Sequence, residues 1–262
     1  MPIRRLARLV ALLAVIALPA AAQPTALRTL ATGDDGRGWE AVGRIDLGDR
    51  GFCTGALIAP DLVLTAAHCL YDRTSGARIA VGEFRFAAGL RNGRAAAWRG
   101  VRRAVAHPDY VFDGADRLDR VAHDLALLQL DQPIRLPSIR PFETGAGPGE
   151  GDQVGVVSYA RDRAEAPALQ EVCAVLGQRP GVLVLSCSVD FGSSGAPIFA
   201  LRDGAVRIVS VVSAKAEMTG QPVALGTALG PPLAVLRAAM ARPDGAAADR
   251  AIGAKFLRPG AP

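Results

Sequence analysis

Short apolar or alternating stretches follow one another along most of the chain, and Gly, Pro, Asp or Asn bounds each of them. The stretches cover residues 41–47, 52–58, 62–64, 78–86, 101–106, 125–130, 153–159, 169–176, 182–188, 197–201 and 206–213. Roughly a dozen short strands separated by turn signals are typical of an all-β sandwich or a pair of barrels. The pattern therefore predicts an all-β protein.

Turn residues divide this pattern in two places. Asp203-Gly204 separates the stretches 197–201 and 206–212, and this pair tolerates the positive φ of a tight hairpin turn. The Gly- and Pro-rich segment Gly145–Gly151 forbids a continuing strand or helix. We therefore predict a hairpin at the first place and a boundary between two halves at the second.

One helix is predicted, close to the end of the chain. It follows a Pro-Pro pair at 231–232, and apolar residues recur at helical spacing from Leu233 to Met240 until Pro243 stops the pattern.

The first 22 residues have the pattern of a secretory signal peptide. Three arginines precede the apolar run Leu9–Leu18, and Ala20–Ala22 offers small residues for cleavage after Ala22. The run is too short to span a bilayer. Residues 23–39 lack periodicity and are rich in turn residues, which suggests a loose N-terminal arm or a pro-segment before a domain at 40–262. We expect a secreted or periplasmic protein.

Composition narrows the possible partners. The formal net charge of +5 comes from 30 Lys+Arg and 25 Asp+Glu, and loss of residues 1–22 leaves 27 basic against 25 acidic residues. The sequence has no clustered basic stretch with interleaved aromatics, which is the pattern that would favour a nucleic-acid partner. It also has no second long apolar run that would place the mature form in a membrane. We expect a monomer. Four cysteines in an exported chain can form two disulfides, whereas scattered histidines and the lack of Cys-x-x-Cys disfavour a metal.

Three segments carry chemistry: LTAAHC at 64–69, HDLALLQL at 123–130 and DFGSSGAP at 190–197. A serine becomes a good nucleophile when an imidazole takes its proton and a buried carboxylate orients that imidazole. Ser194, His68 and Asp124 would supply these three groups. Glycines on both sides of Ser194 allow a tight turn that aims the N–H groups of Gly192 and Ser194 at one point, as an oxyanion hole requires.

In their order and spacing, these motifs resemble those of the trypsin-like (chymotrypsin-fold) serine endopeptidases, in particular the secreted bacterial members. The resemblance covers about Glu40 to Leu236. It implies two six-stranded antiparallel β-barrels, the first at about 40–145 and the second at about 150–262, with the active site between them. It also implies hydrolysis of polypeptides through an acyl-enzyme, with no metal or organic cofactor.

The resemblance extends to further residues. Ser213 occupies the place of the family's serine on the strand beside the substrate. Cys53 and Cys69 resemble the disulfide that braces the histidine loop, and Cys173 and Cys187 then remain for a second disulfide.

Two departures concern activation. The family's usual residue before the nucleophile is an aspartate, which pairs with a newly exposed N-terminal Ile or Val; this chain has Ser193 there. The chain also lacks an Ile/Val-Val-Gly-Gly start, and Ile45 is the nearest candidate. We therefore predict activation without this ion pair, as in the glutamyl-endopeptidase-like bacterial branch.

The specificity pocket is open to several interpretations. The resemblance places its floor at Ser188 and puts Asp190 where a cysteine is usual. Asp190 would either select Arg or Lys or hold the loop through backbone hydrogen bonds. Lys215 would either favour an acidic side chain or lie solvated at a strand end.

Two further histidines are not assigned to the site. His107, in a turn before a proline, and His123, beside Asp124, are expected to be structural or surface residues.

Two other classes of protein are alternatives to a peptidase. An α/β-hydrolase is excluded because it needs Gly-x-Ser-x-Gly and a histidine after the serine, and no histidine follows His123. The alternative that stays open is a catalytically inactive homologue that acts as a secreted binding protein.

Overall fold

The computed structural model describes residues 24–113, 117–202 and 204–242. The predicted signal peptide, the turn residue Asp203 and the chain beyond Arg242 lie outside these residues. The strands are β1 (Arg28–Thr29), β2 (Val42–Leu47), β3 (Phe52–Ala59), β4 (Leu62–Thr65), β5 (Phe84–Ala88), β6 (Ala97–Ala106), β7 (Ala126–Leu130), β8 (Glu143–Thr144), β9 (Gln153–Ala160), β10 (Arg163–Arg179), β11 (Val182–Leu185), β12 (Pro197–Arg202), β13 (Ala205–Met218) and β14 (Gln221–Ala228). The helices are α1 (Arg117–Ala122) and α2 (Gly230–Ala241), with short 3₁₀ helices at Ala67–Leu70 and Val81–Glu83.

The first half of the chain closes into a six-stranded barrel in the order β2-β3-β4-β7-β6-β5. Every pairing in this barrel is antiparallel. Alternate side chains point inward, so that Ile45, Leu57, Phe86 and Leu128 are buried together in its interior.

The second half forms a ring of six antiparallel strands, β9-β10-β11-β14-β13-β12, closed by pairing of β12 with β9. Two short strands lie outside this ring: β1 pairs with β10, and β8 runs parallel to β13. The two predicted six-stranded barrels are therefore confirmed, and the second carries two additional edge strands.

An apolar cluster joins the two barrels. Leu64 and Leu127 from the first barrel pack with Tyr159, Phe199 and Ile208 from the second. The buried Tyr159 hydroxyl also donates to the carbonyl of Leu90, 2.9 Å away. The cluster fixes the two barrels against each other and thereby sets the width of the cleft between them.

Most predicted strands are present, with shifted ends. The stretch 78–86 is strand only from Phe84 onward, because a 3₁₀ turn occupies Val81–Glu83. The stretch 169–176 belongs to a much longer strand, Arg163–Arg179, which continues through bulges. The sequence pattern missed β14 and α1. The predicted helix is present at Gly230–Ala241.

The segment expected to be a loose N-terminal arm is held against the second barrel. Arg28 and Thr29 pair with Leu169 and Ala168 of β10, and the Leu30 side chain is fully buried. Two paired residues are too few to produce a periodic pattern, so nothing in the sequence marks this strand. Among the described residues, no helix is long and apolar enough to span a membrane.

Candidate active site

His68 lies at the mouth of the first barrel, in the 3₁₀ helix that follows β4. A disulfide between Cys53 and Cys69 ties this turn to the neighbouring strand β3. The imidazole remains 20% exposed, so it is anchored on one side and open to the cleft on the other.

Asp124 is buried, with 3% of its surface exposed, and it holds His68 in two ways. Its Oδ1 accepts the backbone N–H of His68 at 2.8 Å, and its Oδ2 lies 2.7 Å from His68 Nδ1. A carboxylate that accepts at this position selects the tautomer of the neutral imidazole with its proton on Nδ1, and that tautomer has a lone pair on Nε2. Ser213 Oγ donates to the same Oδ2 at 2.5 Å.

Tyr110 lines the cleft beside this pair. Burial and the negative charge of Asp124 raise the pKa of its phenol well above the ordinary value. Tyr110 therefore stays protonated across the physiological pH range.

Ser194 lies in the turn between β11 and β12, on the second barrel. It lines a cleft of about 900 Å³ together with His68, Asp124 and Ser213. The structure thus brings the serine, histidine and aspartate of three distant sequence segments to one place.

The backbone N–H groups around Ser194 fall into two pairs. Those of Ser193 and Gly195 donate to the carbonyls of Asp190 and Val212, each at 2.8 Å. Within residues 24–113, 117–202 and 204–242, the N–H groups of Gly192 and Ser194 donate to no protein acceptor. Gly192 has a φ of 99°, a left-handed conformation that favours glycine. The second pair is therefore available to a bound substrate.

Ser193 is fully buried, although the nucleophile candidate that follows it is partly exposed. Its Oγ lies 3.2 Å from the carbonyl of Tyr159 and 3.3 Å from both Ser158 Oγ and an Arg163 guanidinium nitrogen. Burial lowers the pKa of Arg163, and the charge of Asp162 opposes this shift. Position 193 carries no carboxylate, and the loop is instead supported from inside by the Arg163 side chain, which is only 10% exposed.

The wall of the cleft contains an ion pair. Lys215 Nζ donates to Asp190 Oδ1 at 2.8 Å, and this bond is the main reason that the pKa of Asp190 is lowered. Both residues line the cleft, as does Ser213, whereas Ser188 is exposed and is not among the residues that line it in the described part of the chain. Ser188 instead donates its N–H to Gln170 Oε1 at 2.7 Å.

The structure also places the cysteines and His107. Both disulfides, Cys53–Cys69 and Cys173–Cys187, are present. His107 is buried and accepts the N–H of Asp109 at Nδ1.

Two groups of described residues lie close enough together to hold a metal ion. One comprises Cys53, His68 and Cys69, and the other His107, Asp109 and His123. The disulfide occupies both sulfurs of the first group, and a thiolate is the form that binds metal. In the second group, the hydrogen bond from Asp109 already occupies His107 Nδ1.

Sequence reasoning missed several residues of the site. Phe191, Arg73 and Arg161 lie close to Ser194, and Arg163 lies beneath the loop. Phe191 is adjacent to the GSSG motif and could have been noticed as an exposed aromatic residue beside it. Arg73 lies in a turn, and Arg161 and Arg163 lie where β9 turns into β10, and nothing in the sequence around them marks them as part of the site.

Comparisons with known proteins agree with this geometry. The trypsin-like peptidase domain family matches residues 53–207, and the chain belongs to this family.

Curated relatives match this chain across about one third of its length. They include "Modular serine protease" of Drosophila melanogaster, 38% identical over 93 residues, which are 34% of this chain and 15% of the relative. "Trypsin" of Phaedon cochleariae is 36% identical over 94 residues, which are 34% of this chain and 32% of the relative. The matches thus span a third or less of these relatives.

A solved structure of Glu endopeptidase in complex with MPD has the same fold. It aligns with a TM-score of 0.64 and 19% sequence identity, covering 78% of this chain and 92% of that chain.

Proposed function

We propose that the protein is a serine endopeptidase in which Ser194, His68 and Asp124 form the catalytic triad. The observation that carries the proposal is the 2.7 Å contact between His68 Nδ1 and Asp124 Oδ2 in the cleft that Ser194 also lines. This contact leaves Nε2 free to act as a base.

The reaction follows from these positions. Ser194 Oγ attacks the carbonyl carbon of the scissile bond while its proton passes to His68 Nε2, and the N–H groups of Gly192 and Ser194 bind the resulting oxyanion. His68 then donates the proton to the leaving amine, and an acyl-enzyme remains on Ser194. Water, deprotonated by His68, hydrolyses that ester.

A fluorophosphonate probe tests this proposal, because it reacts with an activated serine. We expect stoichiometric labelling of the folded protein, located at Ser194 by mass spectrometry and lost in Ser194→Ala. Ser75→Ala is the matched control, since Ser75 lies in an exposed turn and lines neither cavity near Ser194. Failure of the folded wild type to react would support the alternative, an inactive homologue that acts as a secreted binding protein.

We also propose that activity does not require a new N-terminus, as in the glutamyl-endopeptidase-like branch. Ser193 offers no carboxylate to an ammonium group, and Arg163 already occupies its hydroxyl. Ile45 is fully buried in β2 and pairs with both β3 and β5, so cleavage before it would open the first barrel. N-terminal sequencing of the active form is the test, and a start at Ile45 would contradict the proposal.

We also propose that the protein is exported. Two disulfides suit an oxidising compartment. We expect expression of the whole chain to yield a secreted or periplasmic product that begins at Gln23, and recovery of the uncleaved chain in the cytoplasm would contradict this.

A further inference from the structure

A second cavity, of about 140 Å³, adjoins the nucleophile on the side of the Cys53–Cys69 disulfide. It shares four residues with the main cleft, His68, Arg73, Phe191 and Ser194, but includes none of the residues 212–217 that line that cleft. Its lining residues, all in the described part of the chain, are Leu47, Arg50, Gly51, Phe52, Cys53, His68, Cys69, Tyr71, Arg73, Arg161, Phe191, Gly192 and Ser194. Three of these are arginines and none is acidic.

The three arginines differ in their acidic partners. Arg50 forms ion pairs with Asp72 and Glu83. Arg73 and Arg161 form no ion pair within the part of the chain that the structure describes. Arg161 also interacts electrostatically with Asp190, but Lys215 already donates a hydrogen bond to that carboxylate, so the cavity keeps an excess of positive charge.

The cations contact the ring of Phe191, beside the proposed nucleophile. The residue is 44% exposed, and the guanidinium carbons of Arg73 and Arg161 lie 5.0 and 4.8 Å from the centroid of its ring. Lys215 Nζ lies 5.7 Å from the same centroid, but its charge is matched by Asp190. Cation–π contacts of this kind restrain a guanidinium and leave its N–H groups free to bind an anion.

The position of the cavity indicates which part of a substrate it meets. The acyl part of a peptide attached to Ser194 would lie along the main cleft beside β13. The leaving amine takes its proton from His68, so the residues that follow the scissile bond must pass over His68 on the other side. That side is the arginine-lined cavity.

We propose that this cavity binds the residues after the scissile bond and selects an Asp or Glu side chain there. The inference rests on the proposed peptidase function. A carboxylate is the substrate group that matches two free guanidinium groups, because it accepts two parallel N–H bonds from each.

Internally quenched peptides test the proposal. The peptides share one acyl side and carry Glu, Gln or Lys at the first or second position after the scissile bond. We expect kcat/KM to fall in the order Glu, Gln, Lys at one of these positions, with each arginine worth about two- to fivefold between Glu and Gln, as for exposed ion pairs. The preference weakens at high salt.

Arginine variants locate the effect. Arg73→Gln and Arg161→Gln should each reduce the Glu-to-Gln ratio, and the double variant should bring it close to one. Arg85→Gln is the matched control, because Arg85 also lies over an aromatic ring, 5.2 Å from the centroid of Trp98, but lines neither cavity. If Arg85→Gln reduced the Glu-to-Gln ratio of kcat/KM equally, the preference would come from general surface charge, and the proposed local site would be wrong.

Fluorophosphonate labelling of the same samples separates this inference from the proposed function. Without labelling of the wild type, the peptidase proposal fails. With labelling and peptide cleavage intact, equal rates for Glu and Gln peptides overturn only the acidic preference.

Discussion

Gly195, immediately after the proposed nucleophile, should be among the least replaceable residues of the chain. Its φ is +77°, and a Cβ there would come within 3.0 Å of Thr65 Oγ1, Thr54 O and Ala66 N. None of these atoms can retreat easily. Thr65 Oγ1 donates to Thr54 O at 2.8 Å, and the N–H of Thr54 donates to the carbonyl of Ser194 at 2.8 Å.

A matched control separates backbone strain from packing. Gly220 has the same φ of +77°, but a Cβ there would meet nothing within 4 Å. Both alanine variants carry the left-handed strain, about 1 to 2 kcal/mol. Gly195→Ala adds overpacking of about 1 to 3 kcal/mol and a disturbed hydrogen bond of about 1 kcal/mol. We therefore expect Gly195→Ala to be less stable than Gly220→Ala by about 2 to 4 kcal/mol.

Thermal unfolding measures this difference. One kcal/mol shifts Tm by about 2 to 4 °C in a domain of this size, so the two variants should differ by about 4 to 16 °C. Gly220→Ala should also react with a fluorophosphonate at the wild-type rate, whereas Gly195→Ala should not, because Ser194 must move with its neighbour. Equal Tm values for the two variants would refute the packing argument.

Other expectations follow from the same contacts. Asp124→Asn should lower kcat by about 10⁴-fold, because an amide that donates to His68 Nδ1 moves the imidazole proton to Nε2; a loss below tenfold would contradict the assigned role. In the double variant Cys173→Ala/Cys187→Ala, the free energy of unfolding measured with denaturant should fall by about 3 kcal/mol, since the disulfide closes a loop with a sequence separation of 14. An unchanged free energy of unfolding would contradict a stabilising role for this disulfide. Burial lowers the pKa of His107 below 6.5, so the unfolded chain binds more protons in mild acid and the free energy of unfolding falls as pH drops below about 6.5. His107→Gln should reduce that slope, by at most about 1.4 kcal/mol per pH unit, and an unchanged slope would show that another group is responsible.

Local signals account for the parts of the fold and site that are predictable from the sequence. The HDLALL strand, the LTAAHC turn and the glycines around Ser194 are each contained in a few residues, so their geometry can be inferred from those residues alone. The barrels follow from alternation bounded by turn residues. β14 is missed because Pro222 and Gly226 interrupt its apolar pattern, and pairing with β11 and β13 overrides that weakness.

Contacts between distant segments have no such signal. Arg163 reaches Ser193 across 30 residues, and Arg73 lies over the ring of Phe191 although the two are far apart in sequence. The Lys215–Asp190 bond is similar, because each residue stands out by its place near a motif but nothing in the sequence joins the two. Only the closed barrels bring such side chains together.

The Lys215–Asp190 pair also has an evolutionary consequence. Its side chains are 52% and 42% exposed, so the pair contributes at most about 1 kcal/mol and the fold does not depend on it. Loss of the lysine would leave a bare carboxylate in the cleft wall, and loss of the aspartate would leave a bare ammonium. Opposite substrate charge preferences are therefore each one substitution away, so a duplicated gene could diverge in either direction through a folded intermediate.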